Sequence, residues 1–226
     1  MNSEEISELK GVLEQREALY RLLARIYKHE ADAALLDALR AADFPADDGS
    51  DLAAGFSELA DWLRDPKTDD PVTELAVDFA HTFLGAGIAE GLVAYPFESV
   101  YTSPQRLVMQ DAWEDVCRIY RAHGLARAKD MDMHEDQIGL ECEFMAILAA
   151  EGCRALEKGD EAALEKSLSE QLAFCEKHLA NWTGAFCADA RKAALTGFYR
   201  GAARATADFI RTDLGLLRDL MGKEAA

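Results

Sequence analysis

The sequence lacks any apolar run near the roughly 18 residues that a membrane-spanning helix needs. Its opening decapeptide, MNSEEISELK, is acidic and polar where an export signal would be basic and then apolar. No two arginines are adjacent anywhere in the chain. These absences predict a cytoplasmic protein without stable membrane insertion. Basic residues are also scarce: 24 Lys and Arg face 42 Asp and Glu, giving −18 at pH 7. Such a surface repels phosphate backbones and anionic headgroups, which argues against nucleic acid as a partner. The five cysteines, Cys117, Cys142, Cys153, Cys175 and Cys187, include no C-x-x-C pair. That excludes a disulfide framework and a zinc site and leaves them as small buried hydrophobes.

Catalytic signatures are missing too. There is no G-x-x-x-x-G-K-[ST] loop, and Gly91 falls one place too late after Gly85 and Gly87 for a dinucleotide fingerprint. The Glu-x-x-His pairs of di-iron bundles do not occur. Their nearest relative, Asp78-x-x-His81, reads as a capping or solvated pair. His134-Glu135 has no second histidine, and no G-x-S-x-G elbow exists. The expectation is therefore no catalytic residues, no metal and no cofactor.

What the chain does have is helical periodicity over almost its whole length. Helices are predicted over about 4–29, 32–42, 52–63, 71–84, 104–123, 133–158, 160–181 and 191–220, with a loop at Phe44-Pro45 and Asp47-Asp48-Gly49-Ser50 between the second and third. Asp70-Pro71 supplies an N-cap and first helical residue, and Gly85 a stop. The fifth helix is read from Ser103-Pro104 with Met109, Ala112, Trp113, Val116 and Tyr120 inward. The last is read from Arg191 with Leu195, Phe198, Tyr199 and Phe209 inward. This describes an all-α protein, a single globular assembly of about eight helices forming one domain over 1–226. Between them, 85–103 loses the periodicity and reads as a long irregular loop, and loops of that length usually carry function.

Charge is uneven along the chain. Residues 68–105 hold Asp69, Asp70, Glu74, Asp78, Glu90 and Glu98 without one Lys or Arg. Residues 130–153 repeat this with Asp130, Asp132, Glu135, Asp136, Glu141, Glu143 and Glu151. Most should face water or pair across the fold. Glu98, Asp136 and Glu141 sit beside apolar residues and are expected to be partly buried and unpaired, so that an arriving arginine would relieve them. Phe83 and Phe144 read as core, as do Trp62, Trp113 and Trp182. Tyr95, Phe97 and Tyr101, in the irregular loop, are the better candidates for ligand contact.

Three segments, in order, carry a family likeness: Tyr95-Pro96-Phe97-Glu98-Ser99-Val100-Tyr101, then Glu135-Asp136-Gln137-Ile138-Gly139-Leu140-Glu141-Cys142-Glu143-Phe144-Met145, then Thr196-Gly197-Phe198-Tyr199. They resemble the TorD/DmsD/NarJ-like chaperones over about residues 10–220. The resemblance implies an all-helical cytoplasmic chaperone that binds the twin-arginine signal peptide and the apo-form of a molybdopterin enzyme subunit, assisting cofactor insertion before export. It places Pro96, Ser99, Tyr101 and Asp136 at the signal-peptide site, to which the charge and loop reading adds Tyr95, Phe97, Glu98, Gln137 and Glu141. One departure stands out: Gln137 occupies the position of the family's histidine, which keeps hydrogen bonding but loses a group that titrates near neutrality.

On magnitudes, burying about four apolar side chains at roughly 1.5–3 kcal/mol each would hold such a peptide. Charge-assisted hydrogen bonds of about 1.5–3 kcal/mol each would select it. Two alternatives are an enzyme built on helices, a metal-carboxylate or nucleotide hydrolase, and a NarJ-like assembly factor that docks on its client without reading a signal peptide.

Overall fold

Side-chain caps punctuate the chain. Asp32, Ser50, Asp70, Asp160 and Thr196 each accept a hydrogen bond from the backbone N–H three residues on, satisfying donors that a helix start leaves open. In the computed structural model, which describes residues 3–222 except 45, 47, 129 and 130, these caps divide ten α-helices. They are α1 (Ser3–Lys28), α2 (Ala33–Arg40), α3 (Asp51–Arg64), α4 (Pro71–Phe83), α5 (Glu98–Thr102), α6 (Asp111–Ala122), α7 (Ile138–Lys158), α8 (Glu161–Phe174), α9 (Thr183–Ala193) and α10 (Gly197–Leu220). One 3₁₀ turn, Ile88–Glu90, follows α4, and α8 continues as a π turn, Cys175–Leu179. Among the described residues there is no strand, and no helix is long and apolar enough to cross a membrane.

Helix α7 is the axis of one half, packed along α1 on one side and α8 on the other. Most of its residues are buried, as a helix apolar on more than one face requires. Close approach to α1 depends on Gly139, where a Cβ would lie 2.8 Å from Gln137 Oε1 and 3.0 Å from the Ala24 carbonyl. In the other half α10 packs on α3 and α9. There Gly55 and Gly201 let two backbones touch: a Cβ on Gly55 would sit 2.5 Å from the Ala205 nitrogen. The halves meet through Tyr27, Phe79, Phe83, Phe186 and Tyr199, whose rings contact edge to face or tilted, and through a buried Arg16–Asp213 ion pair joining α1 to α10.

The first four helices, the all-α class and the single assembly follow the sequence expectation closely. Four boundaries do not. The fifth predicted helix starts at Asp111, not 104, because Arg106 and Met109 take left-handed φ of 53° and 58° and Met109 is exposed. The predicted 133–158 helix starts at Ile138. The irregular 85–103 loop contains the 3₁₀ turn and all of α5. The last predicted helix, 191–220, starts at Gly197, and α9, which falls mostly where no helix is predicted, ends before it at a break where the Asp78 carboxylate accepts from Leu195 N, Thr196 N and Thr196 Oγ1. Leu195, read as inward, is exposed at that break. Asp78 thereby caps, as expected of it, though it caps a distant helix. Pro45, Asp47 and Asp130 of the sequence reading lie outside the described residues. All five cysteines are buried and free.

Candidate functional site

The 94–102 segment and the residues leading into α7 lie against each other as a minimal antiparallel bridge, Phe97 to Gln137. Glu98 N donates to the Asp136 carbonyl at 2.9 Å, and Ile138 N to the Pro96 carbonyl at 3.0 Å. The Asp136 side chain completes the joint: its Oδ2 accepts from Ser99 N at 2.9 Å, holding the first turn of α5. Ser99 Oγ in turn accepts from Gln110 N, which ties down the non-helical run before α6. Gln137 caps α7, with Oε1 accepting from Gly139 N and Leu140 N, while its Nε2 donates to the Tyr27 carbonyl at 2.7 Å. An amide serves here because the position needs one acceptor and one donor at once.

Glu98 and Glu141 converge on the π turn. Glu98 Oε2 lies 2.9 Å from His178 Nδ1, and Glu98 Oε1 accepts from Asn181 Nδ2 at 2.9 Å. Glu141 Oε2 accepts from Trp182 Nε1 at 3.2 Å, a donor shared with the His178 carbonyl. Tyr101 tilts over the Trp182 ring at 5.6 Å, reaches Asp189 Oδ2 with its hydroxyl, and is covered by the Arg106 guanidinium at 5.5 Å. Phe97 is half-buried beside the His134 ring.

Eight of the nine sequence-predicted site residues thus form one joint between α5, the start of α7 and the π turn. The ninth, Tyr95, is exposed beside it, with its ring over Gly85. The expected unpaired carboxylates are not there for an arriving arginine. Glu98 is 2% exposed and Asp136 and Glu141 are 0% exposed, each with an internal donor. The joint nonetheless holds three carboxyl groups against one imidazole. Asp136 Oδ1, Glu141 Oε1 and His178 Nε2 are buried with no hydrogen-bond partner. Burial, then the charges of Glu98 and Asp136, push the Glu141 carboxyl well above the usual range. Burial also raises Asp136, against the opposing Ser99 hydrogen bonds. Among the described residues no group of three His, Cys, Asp or Glu is placed to hold a metal.

Other members of the acidic windows pair across the fold, as expected: Glu135 with Trp113 Nε1 and Arg127, Glu143 with Lys28. Sequence reasoning missed His178, Asn181 and Trp182. Their signal was a polar i, i+3, i+4 set on the same helical run as the apolar stripe Leu172, Cys175, Leu179.

The segments that flank α5 carry many exposed apolar side chains. Of eleven exposed large hydrophobic side chains among the described residues, seven lie between 84 and 109, including Leu84, Ile88, Leu92 and Tyr95 before α5 and Leu107 to Met109 after it. A monomeric surface rarely concentrates apolar groups in this way without a partner.

Residues 46–188 match the family model described as nitrate reductase delta subunit. The chain is similar to the chaperone protein TorD of Vibrio cholerae, 28% identical over 222 residues that cover 96% of this chain and 98% of that one. It is similar to the TorD chaperone of Shewanella pealeana at 26% over 94% of each chain. With that of Photobacterium profundum it shares 28% identity over 149 residues, 66% of each.

Proposed function

The chain belongs to the nitrate reductase delta subunit family, and on that premise we propose that it serves its client by binding a twin-arginine signal peptide together with the apo-form of a molybdopterin enzyme subunit, in the cytoplasm before export. It is a redox-enzyme maturation chaperone and not an enzyme; relatives that align along almost its full length carry the name chaperone. The chain acts as one all-helical domain.

The observation that carries the signal-peptide reading is the concentration of exposed apolar side chains at 84–109 on a protein of net charge −18. A cationic, apolar segment gains from both features: the charge attracts it and the apolar lip holds it. Tyr95 is the contact residue among the nine. Pro96, Phe97, Ser99 and Tyr101 shape the lip, and Glu98, Asp136, Gln137 and Glu141 hold it in place from below. The carboxylates work through the backbone they fix, not by touching arginine.

Calorimetric titration with a synthetic peptide of two adjacent arginines followed by a 12-residue apolar stretch tests this. Saturable binding near micromolar, about −8 kcal/mol, is expected. The triple variant Ile88→Ser, Leu92→Ser, Tyr95→Ser should weaken it at least about ten-fold, since each loses roughly 1 kcal/mol or more of apolar burial. Undiminished binding by that variant rejects the site. Equal capture of a client with and without its signal region would instead favour an assembly factor that does not read the signal.

A further inference from the structure

A second surface lies away from the joint, where the first turns of α1 and α8 meet the last turn of α10. They enclose a groove of about 790 Å³. Its floor is aliphatic, with Leu9 and Val12 from α1, Leu164 and Leu168 from α8, and Leu216 and Leu220 from α10. Every other lining residue but Met221 is a glutamate: Glu5, Glu8, Glu161 and Glu165. Among the described residues no Lys or Arg lines it. The bases next in sequence are engaged outside it, Lys10 with Glu157 and Lys166 with Glu170. Among the described residues Glu8, Glu161 and Glu165 enter no ion pair, and all three are exposed.

We propose that this groove is a docking seat for a cationic amphipathic helix of a client protein, separate from the surface at 84–109. Charge complementarity selects the occupant. An aliphatic floor flanked by the exposed carboxylates of Glu8, Glu161 and Glu165 fits a helix with apolar residues at i, i+3 and i+4 flanked by Lys or Arg. The walls contributed by residues 5–12 and 161–168 each run about two turns, roughly 11 Å, so two to three turns of helix fill it. A second copy of this chain is a poor occupant, since it brings a net charge of −18 and, face to face, the same four glutamates. The inference goes beyond the signal-peptide reading and stands if that reading fails.

Fluorescence anisotropy with a labelled 15-residue peptide of leucine and lysine, leucines at i, i+3 and i+4, is the test. Its counterpart with glutamate for every lysine is the control. Wild-type protein should bind the lysine peptide and not the glutamate one. The double variant Glu161→Lys, Glu165→Lys should lose about ten-fold in affinity for the first and begin to bind the second. Leu216→Ser should weaken the lysine peptide several-fold without touching the rim charges. The variant Asp37→Lys, Asp61→Lys makes the same change in net charge on exposed positions of α2 and α3, and it should change affinity by less than about two-fold. Equal weakening by both charge-reversal pairs would show binding to general negative charge and overturn the proposal. Loss of binding in the Ile88→Ser, Leu92→Ser, Tyr95→Ser variant would place the peptide on the other surface and overturn it as well. Circular dichroism confirms that each variant is folded, and sedimentation checks for a dimer: one abolished by Leu216→Ser would assign the groove to a second copy instead.

Discussion

Two polar clusters are buried in this protein, and they are built on opposite principles. In the first, Arg16 pairs with Asp213 through both oxygens and also donates to Gln171 Oε1, while Tyr20 donates to Asp213 Oδ2 at 2.7 Å. One positive charge meets one negative, and every polar atom of Arg16, Asp213 and Gln171 that is fully buried has a partner. The second, at Glu98, Asp136, Glu141 and His178, sets three carboxyl groups against one imidazole and leaves three buried atoms unmatched. A balanced cluster rivets α1 to α10 and α8. An unbalanced one is retained where its strain holds something in position, and here that is the short α5 and the apolar lip beside it.

The largest effect expected from this contrast is at the rivet. Asp213→Ala leaves a guanidinium buried with no counter-charge, and urea denaturation should show a loss of about 3–5 kcal/mol. Replacing both partners, Arg16→Met with Asp213→Leu, should recover most of it, because matched hydrophobic side chains carry no desolvation penalty. If the double replacement is as unstable as the single one, the cluster is more than a charge-balanced rivet.

The unbalanced joint should respond less and differently. Asp136→Ala removes the acceptor for Ser99 N and strands a buried amide, a cost of about 1–2 kcal/mol. Losing a poorly solvated carboxylate offsets part of it. Asp136→Asn keeps the acceptor and should sit near wild type in stability. Peptide affinity should follow the same order, since Asp136 acts through the loop it fixes. An Asn variant that binds no peptide while remaining as stable as wild type would mean that the charge itself is read.

Glu141 adds a pH signature. Its folded carboxyl titrates above the ordinary value, so the folded state holds a proton that the unfolded state has released. This contribution is complete below about pH 4.5 and is lost progressively as pH rises from there toward the folded pKa. Glu141→Gln keeps an acceptor for Trp182 Nε1 and removes the titration. Relative to wild type it should gain on the order of 1 kcal/mol at pH 8 and nothing at pH 4.5. A parallel pair of stability curves across that range would place the Glu141 carboxyl at its ordinary value.

These two clusters also mark how far the sequence is legible. Helix positions up to Phe83 follow from periodicity and local caps, because Asp32, Ser50 and Asp70 act on residues three places on. The α9–α10 break is set by Asp78, 117 residues away from Leu195, and no local pattern encodes it. The nine residues read as a candidate site come from two of the three motifs, and the structure makes the backbones of those two motifs neighbours. Their burial is not legible, because the partners His178, Asn181 and Trp182 come from a π turn that reads in sequence as plain helix.

The smallest effect, and the one that bears on where this chain departs from the TorD/DmsD/NarJ-like pattern, is expected at Gln137. Its amide accepts at the start of α7 and donates to the Tyr27 carbonyl, two roles that a neutral imidazole can also fill with one ring nitrogen each. Gln137→His should therefore cost less than about 1 kcal/mol at pH 8. Protonation turns the accepting nitrogen into a donor facing the Gly139 and Leu140 amides, in a site that is 3% exposed. The folded-state pKa of the new histidine must then fall below its unfolded value near 6.5, and stability is lost as pH drops from about 6.5 through that lower pKa. Thermal melts of the two proteins should coincide within a few degrees at pH 8 and separate at pH 5.5, where only the histidine form weakens. A glutamine at this position removes one titrating group from the α5–α7 joint and leaves Glu141 and Asp136 as its raised carboxyls.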